Sequence, residues 1–160
     1  MDYKDLAKLL AEQKISGYST EYFNKVDAVY ECVVDNVLMT QNKKFENKVV
    51  FEVKVDSNDG SEGANLPGAD CKIIYSLDPW NLEKVKMHLQ GMLSVEFGSL
   101  EDDVQEQLLV EALEPCEEKD GKSALSGLRI RLVSSLRNTE SRIAEGKGSF
   151  VNFKITRLNP

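Results

Sequence analysis

The placement of one helix-patterned stretch constrains this chain more than any other feature. Alternation typical of strands covers about 30–40, 48–56 and 71–77, helical periodicity covers about 78–114, and alternation resumes over about 127–135 and 149–157. In the first strand Tyr30, Cys32, Val34 and Asn36 alternate with Glu31, Val33, Asp35 and Val37. Both of its faces therefore carry apolar residues, as in a curled strand whose outer side is partly covered. The second sets Val49, Phe51, Val53 and Val55 against Val50, Glu52 and Lys54. The third sets Cys71, Ile73, Tyr75 and Leu77 against Lys72, Ile74 and Ser76. In the fourth, Leu128, Ile130 and Leu132 point inward and Arg129, Arg131 and Val133 outward. The fifth opposes Val151, Phe153 and Ile155 to Phe150, Asn152 and Lys154.

Between the third and fourth strands, Asp78 is placed to cap a helix that has Pro79 at its first position. That helix, 79–93, carries Leu82, Val85, Leu89 and Met92 at intervals of three and four. Gly98-Ser99 breaks the pattern before a second helix over 99–114, with Leu100, Val104, Leu108 and Leu109 on its apolar side. The stretches 57–69 and 136–148 read as polar loops, the first too polar to join a core. Residues 3–13 form a short amphipathic leader helix with Leu6, Leu9 and Leu10 on one side, which packs against the strands or docks on a partner.

Three strands, a helix and two strands is the chain order of the five-stranded OB barrel, whose helix plugs the barrel between strands three and four. The expected fold is thus mainly β with inserted helices at 78–114 and a helical leader at 1–24. No linker divides the chain, so residues 1–160 make one domain.

Several function classes drop out. The chain holds no phosphate-cradling glycine motif and neither HExxH nor GxSxG. Its sole histidine, His88, lies mid-helix between Met87 and Leu89, where a structural role is expected. Glu101-Asp102-Asp103 resembles a cation cluster, but acids at a helix start are explained by the helix dipole. The expectation is a non-enzymatic protein with no metal and no cofactor. Cys32, Cys71 and Cys116 are scattered and odd in number, which points to a reducing cytoplasm rather than a disulfide framework. The opening MDYKDLAKLLAEQK carries charges throughout and reads as neither signal peptide nor membrane span.

Charge is polarised. Residues 96–120 hold ten acids and one base, a local −9 in a chain of net −7, which leaves +2 elsewhere. Residues 121–160 hold eight bases against two acids. Single-strand binders combine a positive groove with aromatic faces on which bases stack, and the ligand surface of an OB barrel uses strands two and three with loops one–two and four–five. The bases fall largely on those elements. Lys43, Lys44 and Lys48 flank the first hairpin, and Lys54, Lys72, Arg129 and Arg131 lie on outward strand faces. Arg137, Arg142, Lys147 and Lys154 lie in or beside the last hairpin. Phe45, Trp80 and Phe150 are the stacking candidates because their neighbours are polar, whereas Phe51, Tyr75 and Phe153 share faces with aliphatics.

The run from Tyr30 to Val55, the loop with Pro67-Gly68, the junction IIYSLDPWNLEKVKMHLQGM, the strand GLRIRLVSS and the closing FVNFKITRL together resemble the DUF669-like phage proteins. The resemblance is one of layout and covers about 28–157. It implies an OB-fold single-stranded-DNA-binding protein of a phage replication and recombination module, coating exposed strands in the cytoplasm of infected bacteria without catalysis. Single-stranded DNA, or RNA, is then the expected partner. Oligomerisation is open, no membrane is involved, and the acidic helix 99–114 is a candidate surface for a protein partner. The rival readings are a phage interaction module that engages a host complex through that helix, and a small structural virion protein.

Overall fold

Strand-forming sequence dominates the sheet, but its edges decide the architecture. The computed structural model describes residues 2–12, 20–41, 44, 46–137 and 150–158. Six strands form one sheet: β1 (Thr20–Tyr22), β2 (Ala28–Gln41), β3 (Asn47–Asn58), β4 (Asp70–Ser76), β7 (Arg129–Arg137) and β8 (Phe150–Arg157), in the order β1-β4-β3-β2-β7-β8. All neighbours are antiparallel except β1 and β4, which run parallel. A separate ribbon pairs β5 (Pro115–Cys116) with β6 (Lys122–Ser123). The helices are α1 (Tyr3–Glu12), α2 (Pro79–Leu93) and α3 (Asp102–Leu113).

The five expected strands and both inserted helices are therefore present, but the barrel is not. A five-stranded barrel closes by pairing its third strand with its fifth, here β4 with β8. Among the described residues those two are not joined, and the result is an open mixed sheet in an α/β domain. The physical reason lies in a segment expected to be part of the helical leader. Thr20 to Tyr22 extends and takes the edge of β4 at Asp70 to Lys72, so the hydrogen-bonding groups needed for closure are already engaged there. On the other side α2 lies against β8. A Cβ on Gly91 would stand 1.8 Å from the carbonyl oxygen of Ile155, so only glycine admits so close an approach of helix to strand.

The core fills one side of the sheet, here called its concave side. Tyr30, Cys32, Val34 and Val37 of β2 meet Phe51, Val53 and Val55 of β3 and Ile130 and Leu132 of β7, and Val85, Leu89 and Met92 of α2 close over them. Register shifts at Glu31/Cys32 and Val34/Asn36 break the alternation of β2. The second shift turns Val37 to the same buried face as Val34, which accounts for the apolar residues on both apparent sides of that strand.

Helix α2 has the expected bounds, with Asp78 at the N-cap and Pro79 following. The Asp78 carboxylate accepts from the Ser76 hydroxyl at 2.7 Å instead of capping the helix. Leu82 and Val104, placed on apolar faces by spacing, are exposed at 49% and 42%.

Two further expectations are corrected. No residue of α1 is buried, so the leader helix does not pack on the sheet. The polar stretch after β3 does contribute to the interior, because Asn65 is buried as a hub. Its Oδ1 accepts from the Asn24 amide at 2.8 Å and the Tyr30 hydroxyl at 3.1 Å, and its own amide donates to that hydroxyl at 3.0 Å. No helix among the described residues is long and apolar enough to cross a membrane.

Candidate nucleic-acid interface

The convex sheet face, expected to bind, carries the bases predicted for it, but each stands across from a carboxylate. Lys54 pairs in register with Asp70, Lys72 with Glu52, and Arg131 with Glu31. Arg129 reaches the same Glu31, with Nη2 3.8 Å from Oε2. Such exposed pairs contribute little to stability, but they leave the face electrically mixed. Lys48 is half-buried in a row with Thr40 and Ser76. Lys44 is exposed, and Arg137 is exposed across from Phe150 at the end of the last hairpin. Trp80 is 65% exposed on the first turn of α2. Lys43, Phe45, Arg142 and Lys147 lie outside the described residues.

Three lysines, Lys72 among them, gather in the seam left where β4 and β8 fail to join. A cavity of about 580 Å³ opens there, between β1 and β4 on one side and β8 and α2 on the other. Lys25, Lys72 and Lys84 line it, and among the described residues no carboxylate does. Its apolar wall includes Phe23 and Phe153, whose ring centroids are 5.5 Å apart, with Phe23 packed at a tilt against Tyr30 at 5.1 Å. Tyr22 and Phe150 stand at its mouth, Tyr22 exposed and Phe150 half-buried. The Lys72 ammonium sits 4.9 Å from the centroid of Tyr22, a cation–π contact that places a base and an aromatic face side by side.

The cleft continues along β8. A second groove of about 470 Å³ shares Met87, His88 and Phe153 with the first and adds Lys154 and Arg157, with Glu96 its one carboxylate. The eight residues of β8 extend about 26 Å at roughly 3.3 Å per residue, so the combined track runs the length of that strand.

The Tyr75 hydroxyl and His88 Nε2, 2.7 Å apart, fix α2 to β4 beneath this track. Burial, reinforced by the Lys84 charge, holds the His88 imidazole at a pKa of about 4, and burial alone pushes the Tyr75 phenol upward. Both are uncharged near neutrality. Phe51 packs edge-on against the imidazole at 5.4 Å, and the Tyr75–His88 pair forms part of the cleft wall. No group of three or more histidine, cysteine or acidic side chains among the described residues is disposed to hold a metal ion.

Of the sequence-predicted residues, Lys72, Phe150 and Lys154 come together on the track. Arg129, Arg131 and Lys54 do not, because they belong to the mixed convex face. Sequence reasoning missed Tyr22, Lys25 and Lys84. The run Tyr22-Phe23-Asn24-Lys25 carried the interleaving of aromatics with a base that marks strand binders, but it fell within the leader. Lys84 looked like any solvated lysine of an amphipathic helix.

No family model matches this chain, and no curated protein matches it.

Proposed function

We propose that the protein binds single-stranded DNA along the β4–β8 seam, without catalysis and with little sequence preference. The observation that carries this reading is the cleft lined by Lys25, Lys72 and Lys84 beside Tyr22 and Phe150, with no carboxylate among its described lining residues. Lysines there neutralise phosphates, and the two aromatics offer faces to bases, each stack contributing roughly 1–3 kcal/mol. Lys154 and Arg157 extend the electrostatic path beyond the aromatic mouth. The layout resemblance to phage strand-coating proteins supports the same ligand, and on that reading the protein works in the cytoplasm, where replication and recombination expose single strands.

Fluorescence anisotropy with a labelled oligo-dT, an oligo-rU and a duplex control tests it at two salt concentrations. Affinity for the single strand falls with salt at a log–log slope of about −0.7 per phosphate contacted. The double change Lys25→Glu and Lys84→Glu weakens binding at least ~10-fold and makes the slope shallower by about 1.4, two phosphates' worth. The pair Arg129→Glu and Arg131→Glu has a smaller effect, because Glu31 already offsets those charges. Unchanged affinity and slope in the lysine variant would remove the seam as the site. Equal binding of rU and dT makes the ligand single strands in general, and preference for duplex rejects the reading.

A further inference from the structure

The seam between β4 and β8 is walled by backbone as well as by side chains. A strand that turns one face to a cavity lines it with every second residue. Here Lys72, Ile73, Ile74 and Tyr75 line the cleft in succession, and so do residues 150–153 opposite them. Unbroken succession means that each strand meets the cleft along its hydrogen-bonding edge.

Gly91 fixes the direction of the β8 groups. A Cβ on it would lie 1.8 Å from the Ile155 carbonyl oxygen and 2.9 Å from the carbon, so that carbonyl points out of the sheet edge at α2. Backbone groups alternate from residue to residue along a strand, and β8 pairs with β7 residue for residue from Phe150 to Arg157. Val151 and Phe153 therefore turn N–H and C=O to the same outer edge, where the cleft replaces Gly91 as their neighbour. On β4, Ile73 to Ser76 have no strand on the cleft side among the described residues.

The opening has the size of a short strand. At a rise of about 3.3 Å, a strand spacing of about 4.8 Å and a layer thickness of about 10 Å, a strand fills roughly 160 Å³ per residue. The cleft of about 580 Å³ thus holds about four residues. Lys25, Lys72 and Lys84 surround it, and Phe23, Phe153 and Met87 supply its apolar wall. Carboxylates on one face of an occupant and aliphatic side chains on the other complement both.

We propose that the seam takes up an extended acidic segment of a partner protein as an added strand, bonded to the edges of β4 and β8 together. Its alternate residues are aliphatic, against the Phe23 and Phe153 wall, and the others are Glu or Asp beside the lysines. Such a segment excludes nucleic acid from the cleft. That exclusion rests on the single-strand reading above, whereas the peptide site does not.

Fluorescence anisotropy on the full chain, with a labelled peptide of alternating valine and glutamate, tests the proposal. This peptide binds, and its valine–lysine counterpart does not. Methylating the backbone nitrogens of its valines, or those of its glutamates, removes the donors to one edge at unchanged charge and weakens binding at least ~10-fold. Amide hydrogen exchange slows on binding at Val151, at Phe153 and within Ile73 to Ser76. No binding at millimolar peptide overturns the proposal. Equal affinity of the methylated peptides also overturns it, because the contact is then one of charge alone. Protection of the same amides that rises with protein concentration and ignores the peptide overturns it in favour of a second copy. The unlabelled peptide displaces oligo-dT, and a ternary complex would place the peptide elsewhere and overturn the site. A chain that binds the peptide and not oligo-dT supports the added strand and sinks the nucleic-acid reading alone.

Discussion

Replacing Gly91 with alanine puts the architecture of the seam to a direct test. In an isolated helix this change is favourable by about 1 kcal/mol, since glycine is a poor former and Gly91 lies well inside α2. The structure reverses the sign. The added Cβ would lie 1.8 Å from the Ile155 carbonyl oxygen and 2.9 Å from its carbon, both backbone atoms of a strand held in register by β7. Neither can rotate aside, so α2 must retreat by roughly 1 Å, loosening a close-packed interior. Leu89 and Met92, buried on either side of Gly91, lose contact with the sheet as it does. Overpacking of this kind costs typically 1–3 kcal/mol, occasionally more. A clash with fixed backbone belongs at the upper end of that range, about 3 kcal/mol. Against the helical gain of about 1 kcal/mol, the expected net loss is about 2 kcal/mol, equivalent to a fall of roughly 4–8 °C in Tm for a domain of this size. Urea and thermal unfolding measure it. Gly98→Ala is the control, because a Cβ there meets nothing within 4 Å and should leave stability within about 0.5 kcal/mol. A Gly91→Ala protein as stable as the wild type, beside a neutral Gly98→Ala, would refute the packing of α2 on β8 and the cleft wall it forms.

Acid sensitivity follows from His88. Its folded pKa of about 4 lies below the ordinary 6.5, so its contribution is complete above about 6.5 and is lost as pH falls towards 4, by roughly 3 kcal/mol in all. Urea midpoints across that window should fall less steeply for His88→Gln than for the wild type, and parallel declines would show that the imidazole is not buried neutral. Asn65→Ala leaves the Asn24 amide and the Tyr30 hydroxyl short of a partner and should cost about 2–3 kcal/mol in the same assay. A loss below about 0.5 kcal/mol would remove Asn65 as the hub of that loop.

The strands and helices were legible because their periodicity is local. Pro79 after Asp78 fixed where α2 begins, and the alternation in Val49 to Val55 fixed which side of β3 is buried. What was not legible depends on contacts distant in sequence. The bulges in β2 are set by pairing with β3 and hide within a run whose two faces are equally apolar. Asn65 gave no sign of burial, because a polar residue near Pro67-Gly68 looks like any turn, and only its partners at 22, 24, 30 and 58 make it interior. Leu6, Leu9 and Leu10 carry the pattern of a packed helix, yet amphipathicity alone does not reveal whether the covering surface is in the same molecule.

Closure and the site share one cause. Three residues of β1 occupy the edge of β4 at Asp70 to Lys72 and leave Ile73 to Ser76 with no strand on that side among the described residues. The same three residues bring Tyr22 and, a few positions on, Lys25 to the mouth of the opening they create. Had β4 joined β8, the edges that wall the cleft would have been spent on each other and Lys72 would have kept only Glu52 for company. The convex face would then have been the better candidate, as composition alone indicated. An open edge in the sheet therefore moves the proposed point of contact from a face of mixed charge to a cleft lined by lysines.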